Sequence, residues 1–525
     1  MMIARATRRA LLSVGLAGAL AVSAAVGSAG AAPVGPGSWS GLIDWNNFVA
    51  VHLAVTPAGD VLIWDREEGL TSARRWDPAT GAFSPTPGLP TALFCAFQTR
   101  LPGGQLIVVG GTALKKGAGG NELAGTGLDQ TRIFDFATST WSIGGAMKTP
   151  RWYPTVVALA DGRQVALGGQ VKKGVLANLS ELYDPATNTW TELTGLAEPK
   201  ALDLYPRAML APNGKVFVVK NGAGKSAYMD VDTQTWTTVG KPPPVPGGGG
   251  MAMYESGKLL LFATGKSATD SWTIDLNAAT PIWRKVGSLT YPRKKFSTVL
   301  LPDGRVMAIG GSSDGTSDPA RAVLTPEIWD PATGTWTTLP DLAVPRMYHS
   351  NALLLPDGRV LSAGGGRTPG AQDYPNAQLY SPEYLSLPSR PSITSLSSTV
   401  WTAGGTASLG VSSTAGLGSV VLMGLPAVTH GIDTSARRIV LPIASAYDPG
   451  TGTVKVGIPS VANVPAGHYY AIALDGRGVP SQARIVQVVA GGGAAAAAAA
   501  APAPLATPQR GVPRVVVVPE ATEKD

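Results

Sequence analysis

VPRMYHSNALLLPDGRVLSAGGG, residues Val344–Gly366, is the stretch on which the reading of this chain turns. Its second half recurs upstream as QTRLPGGQLIVVGG (Gln98–Gly111), VVALADGRQVALGG (Val156–Gly169) and STVLLPDGRVMAIGG (Ser297–Gly311). Each copy is a short apolar run, an Asp-Gly or related turn, a second apolar run and a pair of glycines. That is the grammar of a β-hairpin, because Gly and Asp tolerate the positive φ that a two-residue turn demands. Its first half adds two side chains that bind metals, Tyr348 and His349.

Working outward, the unit occurs seven times, with turn glycines at Gly59, Gly104, Gly162, Gly214, Gly257, Gly304 and Gly358. The spacing runs from 43 residues (Gly214 to Gly257) to 58 (Gly104 to Gly162), the period of four-stranded propeller blades. Most units continue into a second hairpin: RRWDPATGAF from Arg74, RIFDFATSTW from Arg132, ELYDPATNTW from Glu181, AYMDVDTQTW from Ala227 and EIWDPATGTW from Glu327. A Trp closes most copies and is expected to pack between neighbouring blades. The glycine pair with the aromatic hairpin resembles the kelch propeller. The expected fold is therefore all-β: a seven-bladed kelch-type β-propeller over residues 37–385. The seventh unit lacks a closing strand after AQLYSPEYL (Ala377–Leu385). A ring of sheets must close or leave an edge open, so GSWSGLIDW (Gly37–Trp45) is expected to complete it.

A Pro-rich joint, Ser386–Ser392, leads to short alternating strands that fit an immunoglobulin-like β-sandwich over residues 391–490. Residues 491–525 are rich in Ala and Pro, make no apolar face and read as a disordered tail. At the other end, Met1–Ala31 reads as a signal peptide: Arg5, Arg8 and Arg9, an apolar run, then Ala29-Gly30-Ala31. Its Arg8-Arg9 pair also fits a twin-arginine signal. The protein is expected to be secreted or held in the cell envelope.

The composition agrees. Of 525 residues, 65 are Gly and 43 Pro, and only 15% are charged, as in turn-rich β proteins. The net charge is +7, and +4 without the signal's three arginines, which gives no case for nucleic acid. After signal removal no apolar run is long enough to span a membrane. A single cysteine, Cys95, excludes an intramolecular disulfide. The expected state is a monomer.

Counting back nine residues from each turn glycine gives Ala50, Cys95, Tyr153, Tyr205, Gly248, Lys295 and His349. If the repeats are blades, these positions ring one mouth of the central channel, with Cys95 and Tyr153 as neighbours. Two tyrosines, a histidine and a thiol do not match the usual zinc sets, and a redox-active metal suits them better. A further nitrogen ligand must come from the remaining histidines, His52, His430 and His468. His430, in LPAVTHGIDTSARR, ends a strand and enters a loop of the second domain that could reach the mouth. Lys295 and Arg207 could contact a substrate, but solvated charge is the plainer reading; Tyr205 reads as channel lining, and His52 and His468 as structural.

Four segments carry a closer resemblance: FCAFQTRLPGGQLIVVGG at Cys95, RWYPTVVALADGRQVALGG at Tyr153, RMYHSNALLLPDGRV at Tyr348 and His349, and AVTHGIDTSARRI at His430. Together they make the chain similar to the copper radical oxidases, the family of galactose oxidase and glyoxal oxidase. The resemblance implies one copper ion held by Tyr153, Tyr348, His349 and His430. It implies a thioether between Cys95 and Tyr153 that forms a protein-derived radical cofactor, and a proton-accepting role for Tyr348. The implied reaction couples oxidation of a primary alcohol or small aldehyde to reduction of O2 to H2O2. One departure stands out: galactose oxidase covers its cross-link with a tryptophan after the glycine pair, where this chain has Val171. Trp152 is a candidate substitute. The fifth repeat, with GGGGMAMYESGK, is degenerate, and the whole sits nearer the glyoxal oxidase branch. Two other readings remain open: a non-catalytic kelch-type binding protein, with a cell-wall glycan as partner, and a copper protein that never matures to the radical form.

Overall fold

The computed structural model describes residues 37–491, except 67–71, 118–119, 197–201, 220–225, 241–248 and 265. The export signal, Gly248 and all of the tail but Gly491 lie outside the described residues. The architecture is all-β, with only three short 3-10 turns among the described residues. No described helix is long and apolar enough to cross a membrane.

Seven antiparallel sheets follow one another along the chain, with first strands His52–Val55, Phe97–Arg100, Thr155–Ala158, Arg207–Leu210, Gly250–Glu255, Ser297–Leu300 and Ser350–Leu354. The first strands of the second, third and fourth sheets are neighbours in turn, as are those of the fifth, sixth and seventh, and Ser350–Leu354 lies beside His52–Val55. The fourth and fifth sheets meet through an apolar cluster that includes Phe217, Met251 and Leu261.

The repeated turn differs in one respect from the two-residue loop expected of it. In the sixth sheet Leu301 N–H donates to Arg305 O (2.8 Å) and Gly304 N–H donates to Leu301 O (3.0 Å). The loop is therefore three residues, Pro302-Asp303-Gly304, with Gly304 in the left-handed region at φ +93°. This is a turn followed by a bulge, in which the last residue must be left-handed, and glycine takes that conformation without strain. The same pair of bonds recurs at Leu101, Leu159, Ala211 and Leu355. Only the fifth sheet has the two-residue form, with Glu255 opposite Lys258.

The closing aromatics reach the preceding sheet. The Trp190 indole N–H donates to Thr131 Oγ1 (2.9 Å) and that of Trp336 to Ser271 Oγ (2.9 Å). The segment from Gly37 supplies the outer pairing of the last sheet, as two short strands: Ser38 opposite Ser381 and Ile43 opposite Ala377. The longest repeat spacing has a structural cause. Thr112–Gly117 and Gly120–Gly127 form an extra hairpin, which a second short hairpin, Gln170–Lys172 with Val175–Leu176, extends into a separate sheet.

Two buried ion pairs hold the segments that lead to the channel mouth. Arg151 meets Glu181 at 3.0 Å and Arg293 meets Glu327 at 2.7 Å, with both partners fully buried in each pair. Glu327 also accepts the backbone N–H groups of Thr290 and Tyr291, and Arg293 donates to the carbonyls of Gly310 and Thr325. Removing one partner leaves an uncompensated buried charge. The substitution Glu327→Ala is expected to lower stability by about 3–5 kcal/mol, read as an earlier denaturant midpoint; an unchanged midpoint would show that the pair does not hold this segment.

After Ser386 come two facing sheets, one ordered Ser392–Leu396, Thr406–Ser412, Thr453–Gly457, Ile443–Asp448, the other built on Leu417–Gly424, Gly467–Asp475 and Arg484–Val489. Trp401, Leu409, Val420 and Val486 fill the space between them. This unit does more than lend a loop. Its segment Ala427–Thr429 pairs with His52–Val55 as an additional innermost strand of the first sheet, Thr429 opposite His52 and Ala427 opposite Ala54. His430 follows directly, and so enters the channel on a hydrogen-bonded strand.

Candidate metal centre

The ring positions counted from the turn glycines share a backbone conformation that is rare for residues with a Cβ. Cys95 (φ +56°), Tyr153 (+61°), Tyr205 (+44°), Lys295 (+54°) and His349 (+66°) are all left-handed. Ala50 is not, and in the fifth sheet the conformation falls on Gly249 (+56°), one residue after the counted position, because that sheet's turn is shorter. Such residues cost on the order of 1–3 kcal/mol each and persist where the surroundings over-determine them. The surroundings here include one another: Tyr153 N–H donates to Cys95 O (3.3 Å), and Tyr205 N–H to Tyr153 O (2.9 Å).

The left-handed turn at His349 lets Tyr348 and His349 both face the channel, their rings stacked with centroids 3.9 Å apart. The Tyr153 and Tyr348 hydroxyls are 2.6 Å apart. His349 Nε2 is 3.7 Å from the Cys95 sulfur, and the rings of His349 and His430 are 4.9 Å apart, near perpendicular at 80°. The ligand atoms of Cys95, His349 and His430 all lie within 4.8 Å of one another. Tyr153, Cys95, Tyr348, His349 and His430 thus converge, and His52 and His468 do not join them. His52 is buried, stacked on Trp64 and bonded through Nδ1 to Gln98. His468 lies on the strand Gly467–Asp475.

Hydrogen bonds orient both imidazoles. His349 Nδ1–H donates to Gly366 O (2.7 Å), which leaves the Nε2 lone pair directed inward. His430 Nδ1 lies 2.8 Å from Thr429 Oγ1 and 3.1 Å from the Tyr205 hydroxyl, while its Nε2 is buried with no hydrogen-bond partner. Tyr205, read from the sequence as lining, does line the cavity and also supports His430. Burial holds His349 down at about 3 and His430 well below the usual imidazole range, so both rings are neutral. Burial also raises Cys95 to about 12 and the Tyr153 and Tyr348 phenols well above 10. The metal-free pocket therefore holds protonated oxygen and sulfur groups beside neutral nitrogens.

Trp152 covers the ring of Tyr153, with centroids 4.8 Å apart and planes 19° apart. Val171 sits in the strand Gln170–Lys172, whose Gln170 exchanges both backbone bonds with Trp152. The open side of the cluster is a cavity of about 370 Å³ lined by Tyr153, Tyr205, Tyr348 and His430, with Lys295 and Arg207. Solvated charge was the plainer reading of those two; the structure places them on the cavity wall, and the ring position of Lys295 was the available signal.

The donor set fits copper. Two imidazole nitrogens, one of them an orphaned buried atom, and two phenol oxygens suit a metal that accepts nitrogen and hard oxygen ligands. Neutral imidazole binds without losing a proton, and a cation of this charge can ionise a phenol at neutral pH.

The chain is similar to known oxidases. Residues 245–385 match the family model "Glyoxal oxidase N-terminus" and residues 390–488 match "Galactose oxidase-like, Early set domain". The chain is 27% identical over 501 residues to a galactose oxidase of Gibberella zeae, covering 86% of this chain and 71% of that protein. It is 27% identical over 536 residues to the aldehyde oxidase GLOX of Vitis pseudoreticulata, covering 86% and 97%. The fold matches a fungal alcohol oxidase solved in complex with copper, at a TM-score of 0.74 and 24% identity, over 86% of this chain and all (100%) of that one. By sequence the chain is a relative of galactose oxidase and of the aldehyde oxidase GLOX.

Proposed function

We propose that this copper-dependent oxidase is secreted and couples the two-electron oxidation of a primary alcohol or small aldehyde to reduction of O2 to H2O2. Its architecture is proposed as an N-terminal signal (1–31), a seven-bladed kelch-type propeller (37–385), an immunoglobulin-like domain (391–490) and a tail (491–525). The observation that carries the reading is the convergence of two phenol oxygens and two neutral imidazoles on one cavity, 2.6 Å separating the phenols.

Tyr153, Tyr348, His349 and His430 would hold the copper, and Cys95 would be joined to Tyr153. When bound, copper supplies one-electron redox chemistry and acidifies an oxygen ligand. Tyr348, at the cavity, would accept the substrate hydroxyl proton once its phenol has been ionised by the bound metal. Tyr153, once oxidised by one electron to its phenoxyl form, would take a hydrogen atom from the carbon bearing that oxygen, its ring screened from water on one face by Trp152, and the remaining electron would fall to the one-electron redox chemistry that copper supplies. Substrate gives up two electrons and two protons in all, and O2 leaves as H2O2.

Copper-loaded protein should release peroxide from at least one small aldehyde or primary alcohol. Chelation should abolish the release and copper should restore it. Full copper occupancy without peroxide from any such compound would leave the non-catalytic readings, a kelch-type binding protein or a copper site that does not mature.

A further inference from the structure

The two cations of the cavity are not needed to hold the metal, yet both face it. Lys295 occupies a ring position, held left-handed at φ +54°, with its ammonium 4.4 Å from the centroid of the Tyr348 ring. Arg207 spends part of its guanidinium on backbone, Nε on Gly249 O (2.8 Å) and Nη1 on Tyr205 O (2.7 Å), so Nη2 remains. Among the described residues neither cation pairs with a carboxylate. Asp314, the acid that acts on Lys295, is itself engaged by Arg321 at 3.8 Å. Asp203 also lines the cavity, is exposed, and bonds its own neighbour Leu204 N–H. Lys295 and Arg207 both line the open cavity, together with Tyr348 and His430. An arginine fork and a lysine point charge without acid partners are the usual receptor for a carboxylate.

Building on the oxidase reading, we infer that Lys295 and Arg207 form a subsite for an anionic substrate: an aldehyde or primary alcohol that also carries a carboxylate. The position of Lys295 sets the length. Its ammonium lies over the Tyr348 ring, and the Tyr348 hydroxyl contacts that of Tyr153, so a carboxylate held there is about one phenol ring away from the reacting oxygens. That suits a carboxylate bonded directly to the carbon that is oxidised, or one carbon removed from it. The reaction remains balanced as above: the aldehyde hydrate or alcohol loses two hydrogens to O2, and the carboxylate is a spectator that positions it.

The test compares glyoxylate with glycolaldehyde, two small substrates that differ in charge, on copper-loaded wild type, Lys295→Met and Lys295→Arg. The ratio of kcat/KM for glyoxylate over glycolaldehyde should fall at least about tenfold in Lys295→Met, the scale of one charge-assisted hydrogen bond, and be largely kept in Lys295→Arg. Taking the ratio removes any effect of the substitution on Tyr348, which both substrates use. A binding measurement stands beside it: oxamate, a non-oxidisable carboxylate of similar shape, titrated calorimetrically into the full chain before copper loading. Wild type should bind it at least about tenfold more tightly than Lys295→Met, with affinity falling as salt rises. Equal oxamate binding in the two proteins, or an unchanged substrate ratio, overturns the subsite and leaves the oxidase reading intact. Should neither substrate yield peroxide, the oxidase reading is what fails, and the oxamate titration still decides the subsite.

Discussion

Peptide mapping of copper-loaded, air-exposed protein is expected to recover the Cys95 and Tyr153 peptides as one species, lighter than their sum by the two hydrogens that a thioether displaces. Cys95 and Tyr153 occupy the same ring position of adjacent sheets and are tied by the bond from Tyr153 N–H to Cys95 O. The thiol is fully buried, and the chain has no second cysteine with which it could form an intramolecular disulfide. Forming the bond removes the thiol hydrogen and one ring hydrogen; the two electrons and two protons pass to O2, giving H2O2. The product should survive strong reductant, which a disulfide would not. Sulfur on the ring should make the phenol easier to oxidise, so Cys95→Ser should keep copper and lose most turnover. The structure frames the competing outcome, because the sulfur also lies 3.7 Å from His349 Nε2. Were Cys95 a direct ligand instead, Cys95→Ser would weaken copper binding. Free Cys95 thiol in fully active, copper-loaded enzyme would rule out the thioether.

The second large effect is expected at His430. His430→Ala should reduce copper affinity by more than the roughly 10–100-fold that follows loss of a group supporting a ligand. Tyr205→Phe and Thr429→Ala, which remove the hydroxyls beside its Nδ1, should fall within that range. Point substitution is the appropriate test. Cutting the chain after Ser386 would also remove Ala427–Thr429 from the first sheet and the Tyr470 hydroxyl from Leu354 O, so lost copper would then report a damaged scaffold. Calorimetry of copper binding, with far-ultraviolet dichroism to verify the fold, reads the difference. His430→Ala that binds copper within about twofold of wild type would remove His430 from the ligand set.

Much of the site was legible because the repeat is a ruler. Hairpin turns at fixed offsets put Cys95, Tyr153, Tyr205, Lys295 and His349 in register, and the shared left-handed backbone at those residues is the physical form of that register. The ruler slipped where a turn changed length: in the fifth sheet the two-residue loop at Ser256-Gly257 moves the position to Gly249. It was silent on Arg151 and Arg293, whose buried pairs with Glu181 and Glu327 depend on acids about thirty residues away. An arginine before a strand reads as surface until its partner is known.

Local pattern by itself determined the all-β class, the repeated hairpins and the candidate donors, because turn chemistry and apolar alternation are short-range properties, and the need of a ring of sheets to close added the pairing of Gly37–Trp45 with the last sheet. Tertiary structure alone decided three things. His430 arrives on a strand that the second unit adds to the inner edge of the first sheet, a pairing across more than 370 residues that no local signal encodes. Trp152 covers Tyr153 while Val171 is held in a separate short strand. Lys295 and Arg207 face the cavity without acid partners among the described residues, and whether a cation is solvated or aimed at a substrate depends on which groups the folded chain brings within reach of it.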